Sequence, residues 1–490
     1  MIKSIQHFEE KGINKLENVI NDFIKNPEDM ASFVYSIRDN VIQLGLNIIQ
    51  ETLEDCDEML RSSGKRKANW QIVRRDDKAL TTSLGCVNFR KTLFINKETK
   101  SREYLLDRIL GIEDHERITE DAEAKMLDEA VETSYRKAGN EVSISDSVSK
   151  QTVKNKIHQL KFDNEYEKPK VKKKVDYLYI DADEDHVSLQ FHAKKGDLTE
   201  NEWHQKNNCL ITKMIYVYEG IEKEAPKSKR NRLINPRYFC GAYAGTEENI
   251  VLWDEVYQYL DATYDLDHVK KIYLNADGGA WIKAGKKRIA GITFVLDEFH
   301  LKKYMLRATS HMLDSAEDAR KQMQDAMKNG TKPEFEEVMK RILNVTQGDA
   351  AIKRVTESKT YILSNWSAIK VRLNDRKEVK GCSAEGHVSH VLSSRMSSRP
   401  MGWSQTGADS MAHLRAYIWN NGNMLELVRK QKQPLKMAVG AEYEILSSAQ
   451  MLHSERNKHY QLGKYLESMS HSVSTEVKKY AWFNSHIWGL

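Results

Sequence analysis

Apolar residues recur at threes and fours from Met1 to about Ser62: Ile20, Phe23, Met30, Phe33, Ile37, Val41, Leu44, Ile48 and Leu53, with charged residues between them. That spacing predicts amphipathic helices. β-branched alternation takes over from Leu80 to Asn96 and predicts a small hairpin built from residues 81–89 and 91–95. Helical spacing resumes near Leu105, and residues 122–138 carry Met126, Leu127, Ala130, Val131 and Tyr135 on one side. After a Gly139-Asn140 break, residues 147–157 read as the second helix of a helix-turn-helix. Ser149, Lys150, Gln151 and Lys154 would then face a major groove, with Val153 and Ile157 packed inward.

Lys168-Pro169-Lys170-Val171-Lys172-Lys173-Lys174 marks the clearest boundary, because proline and repelling like charges favour an extended linker. Lys172 and Lys173 are candidate phosphate contacts there. A mixed sheet follows. Residues 175–183 and 186–192 predict a strand pair turning at Glu184-Asp185, and residues 209–218 a third strand. A helix is expected over 247–266, with Ile250, Trp253, Val256, Tyr257, Leu260 and Tyr264 on its buried side. Two short strands follow at 271–275 and 293–296, each leading into helical sequence. From His300 to about Asp375 the pattern is wholly helical, broken at Asn329-Gly330 and Gly348. Residues 381–404 are rich in Ser, Gly, His and Arg, and helical spacing returns over 408–430. No internal repeat of 20–50 residues is apparent.

Size and composition narrow the class. At 490 residues the chain exceeds one ordinary core, so two to four domains are expected. Hydrophobic residues at 40% and charged residues at 30% describe a soluble protein. No apolar run approaches the roughly 18 residues of a membrane span. Residues 1–10 lack the apolar stretch of a secretory signal, so a cytoplasmic protein is expected. A net charge of +5 is far from a histone-like excess, and nucleic-acid contacts must be sought in local clusters. The five cysteines are scattered without a CxxC pair, which argues against a disulfide framework and a structural zinc site.

The candidate chemistry lies in acids that close apolar runs. Asp181 and Asp183 end Tyr179-Ile180-Asp181-Ala182-Asp183, Asp277 ends Tyr273-Leu274-Asn275-Ala276-Asp277, and Asp297 ends Val295-Leu296-Asp297. An acid at the end of a buried strand is held at the rim of its sheet. Carboxylates converging from separate elements suit Mg²⁺ or Mn²⁺ and phosphodiester chemistry. Alternation puts Tyr177, Tyr179, Asp181 and Asp183 on one face. Asp183 is preferred as the first acid because a tight hairpin would bring Val187-Ser188-Leu189 back four residues later, while Asp181 would assist or cap the strand. Asp277, followed by Gly278-Gly279, is the second acid. Glu385, in a polar Gly-flanked segment with no apolar stripe, is the third. Asp297 would serve as an N-cap, or with His300 brace the site or the nucleic acid. Beside Glu385, Arg395, Arg399 and Trp403 suit phosphate contact and base stacking, and a solvent-exposed capping loop is the plainer alternative.

These motifs resemble the mutator-like DDE transposases: Asp183, Asp277, an Asp-x-x-His element at Asp297 and His300, a long helical stretch, then Glu385. The chain is still more similar to a bacterial insertion-sequence transposase family long regarded as uncharacterised. The similarity runs through Asp277-Gly278-Gly279-Ala280-Trp281-Ile282, Leu296-Asp297-Glu298-Phe299-His300-Leu301, Cys382-Ser383-Ala384-Glu385-Gly386-His387-Val388-Ser389-His390 and Arg395-Met396-Ser397-Ser398-Arg399-Pro400-Met401-Gly402-Trp403. The resemblance implies an α/β fold with an RNase H-like mixed-sheet core at 175–312 and 376–432, and an all-helical insertion at 313–375. A mainly helical DNA-binding region at 1–165, with its helix-turn-helix near 122–160, a basic linker at 166–174 and a tail at 433–490 would complete the chain.

It implies a nucleoid-associated bacterial enzyme that binds terminal inverted repeats. With Mg²⁺ or Mn²⁺ held by Asp183, Asp277 and Glu385, it would cleave DNA and join the freed 3′-hydroxyl to target DNA, as a homodimer or larger assembly. The Asp181-Ala182-Asp183-Glu184-Asp185 cluster departs from the single-Asp pattern of the mutator group and leaves Asp181 and Asp183 both open as the first ligand. Two other functions fit parts of the pattern: a non-catalytic or domesticated DNA-binding regulator, and an RNase H-like nuclease without strand transfer.

Overall fold

A computed structural model describes residues 3–162, 168–190, 208–243, 245–379, 381–399 and 401–432. The expected tail at 433–490, the end of the strand expected to reach His192, and Pro400 lie outside these residues. The described chain forms two compact units: residues 3–153 with the helix Met424–Gln431, and residues 154–423.

In the first unit the helix Met30–Ser62 starts at Asp29, whose side chain accepts from Ser32 N at 3.1 Å. Its C-terminal half packs on a three-stranded antiparallel sheet of β1 (Trp70–Thr81), β2 (Cys86–Asn96) and β3 (Arg102–Tyr104). Leu60, Trp70, Leu80, Val87, Phe89, Phe94, Leu105 and Leu106 form the core there. The expected hairpin lies further upstream than its spacing indicated. β1 runs through Arg74 and Arg75, and β2 continues unbroken across Arg90, because Thr82 and Gly85 make the turn. Thr82 Oγ1 donates to Gly85 O at 2.8 Å. The helix Met424–Gln431 packs on Glu120–Glu132, where Arg429 and Lys432 meet Glu120 at 3.0 Å each. The core boundary expected at 432 therefore falls past a helix that belongs with the first unit.

The second unit is built on a mixed five-stranded sheet ordered β10-β9-β4-β5-β8. Its strands are β4 (Tyr177–Ser188), β5 (Cys209–Tyr218), β8 (Arg237–Gly241), β9 (Lys271–Ala276) and β10 (Ile292–Leu296), with a small outlying hairpin of β6 (Gly220–Lys223) and β7 (Asn231–Ile234). β4–β5 and β5–β8 are antiparallel, whereas β4–β9 and β9–β10 are parallel. One expectation fails here. No hairpin turns at Glu184-Asp185, because β4 runs straight through them and pairs with β5 from Tyr179↔Tyr218 to Ser188↔Cys209. Three acids in a row are tolerated in mid-strand because their side chains stay partly exposed while the backbone remains paired. The third antiparallel strand is β8, a five-residue run that spacing did not single out.

Alternation along β4 divides the unit. Leu178, Ile180 and Ala182 face a core completed by Leu252, Trp253, Val256 and Leu260 of the helix Gly245–Thr263 and Ile282 of the helix Ala280–Arg288. On the opposite face Tyr273, Tyr179, Tyr218 and Tyr216 stack in sequence, with ring centroids 5.3–5.9 Å apart. After β10 come five consecutive α-helices, Glu298–Thr309, Ala316–Asn329, Lys332–Val345, Asp349–Ser364 and Trp366–Asn374. They share a separate core around Met305, Met323, Phe335, Val355 and Ile362. The chain then returns to the tyrosine face through the helix Ala384–Val388 and to the β8 edge through Gln405–Trp419, where Ala242 N donates to Asp409 at 2.8 Å. Among the described residues no helix is long and apolar enough to cross a membrane.

The packing of the two helices under the sheet is tight enough to test. A Cβ on Gly285 would lie 2.5–2.6 Å from the indole of the fully buried Trp253. Gly285→Ala is expected to lower stability by about 1–3 kcal/mol, read from the denaturant midpoint, and an unchanged midpoint would contradict this packing.

Candidate active site

Register assembles the acids. β4 pairs with β9 as far as Asp181↔Asn275, and β9 with β10 as far as Leu296↔Ala276. One step beyond Ala276 along β9 and β10 sets Asp277 beside Asp297. Two steps beyond the Asp181↔Asn275 pair set Asp183 in the same row. A cleft of about 270 Å³ opens there, lined by Asp183, Asp277, Asp297, Phe299, His300 and residues 382–386, Glu385 among them. Asp183, Asp277 and Glu385, more than 200 residues apart at the extremes, thus share one cavity.

Each acid has its own support. Asp183 Oδ1 accepts from Glu184 N at 2.9 Å, and Asp277 Oδ1 accepts from Gly279 N at 2.8 Å. Gly278 has φ +93°, and a Cβ there would fall 2.9 Å from Asn365 Oδ1, so this turn requires glycine on both counts. Tyr361 O–H donates to Asp277 O at 2.5 Å from the helical insertion. Asp297 caps the helix Glu298–Thr309 and also meets His300 Nδ1 at 3.0 Å. Glu385 is exposed in the first turn of its short helix, and its neighbour Ser383 is tied down by Tyr216, whose hydroxyl lies 3.1 Å from Ser383 Oγ.

Asp181 is set apart from these. It is fully buried and does not line the cleft. Tyr216 O–H and Ser383 N–H donate to its Oδ2 at 2.7 and 3.3 Å, and Asn275 Nδ2 and Tyr218 O–H donate to its Oδ1 at 2.7 and 3.2 Å. Burial raises its carboxyl above the usual range against the pull of these bonds. Of the two acids left open by the sequence, Asp183 is the one that faces the cleft.

The electrostatics are those of crowded acids. Burial, with the charge of Asp277 added, pushes Asp183 up to about 6. Burial alone would also raise Asp297, but hydrogen bonds from His300 and the local backbone outweigh it and hold it low. His300 is raised, first by its bond to Asp297 and then by the charges of Asp297, Asp277 and Asp183. Among the described residues no three His, Cys, Asp or Glu side chains are grouped so as to hold a metal ion. Carboxylates are nonetheless the donor type that a hard divalent ion takes, and Mg²⁺ keeps several waters while taking one or two of them from protein. Asp183, Asp277 and Glu385 are the residues that would hold it.

The sequence profile of an uncharacterised protein family, UPF0236, matches residues 24–434. The chain belongs to UPF0236. A UPF0236 protein of Caldanaerobacter subterraneus subsp. tengcongensis is 35% identical over 84% of this chain and 83% of its own length, and a second from that organism is 34% identical over 85% and 84%. A UPF0236 protein in the vanSb 3′ region of Streptococcus gallolyticus is 25% identical over 77% and 81%. Among solved structures, the Drosophila P element transposase strand transfer complex aligns with 65% of this chain and 96% of its own, at 9% identity and a TM-score of 0.27. A likeness that low carries no weight for fold or chemistry.

The remaining candidate residues of this UPF0236 chain fall into three groups. Ser149, Lys150 and Gln151 are exposed at the start of the helix Lys150–Gln159 and Lys154 is half-buried, while Val153 and Ile157 are fully buried. Lys172 and Lys173 are not on a free linker. Lys173 N donates to Thr263 O at 2.9 Å, and the two ammonium groups meet Asp261 and Glu219 at 3.1 and 2.9 Å. Both remain about half exposed, and such surface pairs contribute only about 0–1 kcal/mol, so a phosphate can still compete for them.

Arg395 and Trp403 correct the reading of their loop. Both are buried, at 5% and 6% exposure; the guanidinium lies 5.0 Å from the indole centre, and Trp403 Nε1 donates to Met396 O at 2.9 Å. They brace this turn and present no face to a base, whereas Arg399 is exposed. Sequence spacing missed Tyr216, Tyr218 and Asn275 around Asp181, and Tyr361 and Asn365 beside Asp277. The alternating tyrosines of β5 carried a signal; the two insertion residues carried none.

The raised Asp183 makes the metal-free protein pH-sensitive. Its folded pKa exceeds the ordinary 3.8, so the fold holds this proton more tightly than the unfolded chain does. The stability it contributes is lost as pH rises from about 4 through about 6. Metal-free Asp183→Asn is expected to match its parent near pH 4 and to exceed it by roughly 1–2 kcal/mol at pH 7, after allowance for solvent screening. Parallel urea midpoints for the two proteins across that range would contradict it.

Proposed function

We propose that this UPF0236 chain is a DNA transposase of an insertion sequence, with an RNase H-like catalytic core that cleaves element ends and joins them to target DNA. The observation that carries the reading is the cleft itself. Asp183 on the central strand, Asp277 at the end of its parallel neighbour and Glu385 on a helix crossing the sheet face one cavity from three remote segments. The sheet supports it too. Numbered by appearance in the unit, leaving out the small hairpin, its strands run 3-2-1-4-5, the first three antiparallel and the last two parallel to the first, an order that an RNase H-like core would have. Four α-helices fill residues 313–375 between the second and third acids, as a mutator-like layout would have it. One Caldanaerobacter relative is named for eleven loci and another for four, as expected of a gene that spreads within a genome.

Mg²⁺ or Mn²⁺ bound at these acids would supply the charge that activates the attacking oxygen and stabilises the leaving one. The protein's share is placement. β4 and β9 hold Asp183 and Asp277 side by side, and Tyr361 fixes the carbonyl of Asp277. The Asp297–His300 pair sets a raised, positively disposed imidazole against the acids, where it meets the phosphate backbone. Exposed Phe299 forms one wall of the cleft. Ser149, Lys150, Gln151 and Lys154 contact the terminal repeat, and Lys172, Lys173 and Arg399 add phosphate contacts. Two ends must meet before joining, so a homodimer or larger assembly on DNA is part of the proposal.

With a labelled terminal repeat and Mg²⁺, the parent protein is expected to nick and join. Asp183→Ala, Asp277→Ala and Glu385→Ala should each lose about a thousandfold or more, equivalent to roughly 4 kcal/mol, while end binding survives. Cutting without joining would favour a nuclease. Binding without metal-dependent cutting by the parent would favour a regulatory DNA-binding protein. Full activity in any one variant would remove that residue from the site.

A further inference from the structure

Asp181 is the most enclosed acid of the second unit, and the cleft chemistry does not use it. A buried carboxylate costs several kcal/mol in lost hydration unless its lone pairs are taken up. Here they are taken up by donors from three different parts of the chain. Tyr216 and Tyr218 come from β5, Asn275 from β9 and the Ser383 N–H from the segment that carries Glu385. The two oxygens divide the work. Oδ1 joins β4 to its two neighbouring strands through Asn275 and Tyr218. Oδ2 takes Ser383 N–H together with Tyr216 O–H, and the Tyr216 hydroxyl lies 3.1 Å from Ser383 Oγ as well. Glu385 sits two residues beyond that clamp. Further along, His387 Nδ1 meets the Tyr238 hydroxyl at 2.9 Å, with its ring 4.7 Å from that of Tyr216. The helix bearing Glu385 spans only five residues and cannot hold a position by its own hydrogen bonds.

We propose that Asp181 is a positioning residue whose Oδ2 clamps the Ser383 backbone, and thereby sets Glu385 opposite Asp183 and Asp277. This deepens the proposed function and rests on it only where Glu385 is taken as a metal ligand. The clamp is a 3.3 Å bond in a setting shielded from water, where a hydrogen bond is stronger than it is in solvent. Partners that orient ligands from behind in this way change metal affinity about 10–100-fold when removed.

The test uses the full-length protein and two separate readouts. In metal-free hydrogen–deuterium exchange, Asp181→Ala is expected to speed exchange at residues 382–388 about tenfold while β4 and β5 stay protected. Asp181→Asn, which keeps the shape and one acceptor, should show a smaller rise and decides alone if the alanine variant does not fold. Tyr218→Phe removes a donor to Oδ1 only and should leave 382–388 unchanged. In a Mn²⁺ titration followed by electron paramagnetic resonance, Asp181→Ala and Glu385→Ala should each weaken binding about tenfold. The double variant should bind no more weakly than Glu385→Ala alone, because both changes remove the same contribution. Unchanged exchange at 382–388 in the folded variants would overturn the clamp, as would loss of protection spread equally over β4 and β5. Mn²⁺ losses that multiply in the double variant would instead make Asp181 a ligand in its own right and also overturn it. If the parent binds no Mn²⁺ at all, the catalytic reading falls, while the exchange arm still judges the clamp.

Discussion

The parallel register between β4 and β9 is the constraint on which the candidate site depends. Side chains alternate across a strand, so a slip of one residue would send Asp277 to the helix-covered face. The opposite faces forbid that slip. Leu178, Ile180 and Ala182 of β4, with Ile272, Leu274 and Ala276 of β9, are buried against Trp253 and its neighbours. A shifted strand would push Asn275 and Asp277 into that apolar layer. Hydrophobic burial on one side of the sheet thus holds the acids in line on the other.

Crowding acids has a cost, and the surroundings meet it in different ways. Asp183 is partly buried beside Asp277 and is raised to about 6. Asp297 is nearly as enclosed, yet His300 and the backbone N–H groups of its own cap keep it low. Asp181 has lost water entirely and is satisfied by four donors. Three acids on one sheet face therefore have three distinct characters: one raised and open to the cleft, one paired with a histidine and one spent on structure. The helical insertion adds to this from outside the sheet, with Tyr361 on the Asp277 carbonyl and Asn365 against Gly278. Its own core holds those two residues in place, and the Arg372 bond to the Leu296 carbonyl at 2.7 Å ties its last helix to the end of β10.

Much of the fold was legible in the chain. Apolar alternation located β9, β10 and the start of β4, and threefold and fourfold spacing located the helices between 300 and 375. Both patterns reflect burial on one face, which a linear sequence records. Errors came where charge or brevity masked that record. Glu184-Asp185 looked like a turn because acids are rare inside strands, but backbone pairing with β5 carries β4 through them. β8 was missed because five residues give too little alternation to detect. Arg395 and Trp403 looked like nucleic-acid contacts because side-chain type says nothing of direction, and these two point at each other.

By itself, then, the sequence marked Asp183 and Asp277 as acids closing apolar runs and Glu385 as an acid in a segment with no apolar role. It could not decide between Asp181 and Asp183, since both share a face and a neighbourhood in the chain. Only the tertiary structure separates them. The return of the segment at 382–388 over the sheet covers Asp181 and leaves Asp183 open. That return crosses some two hundred residues, and no local pattern encodes where a distant backbone N–H will come to rest.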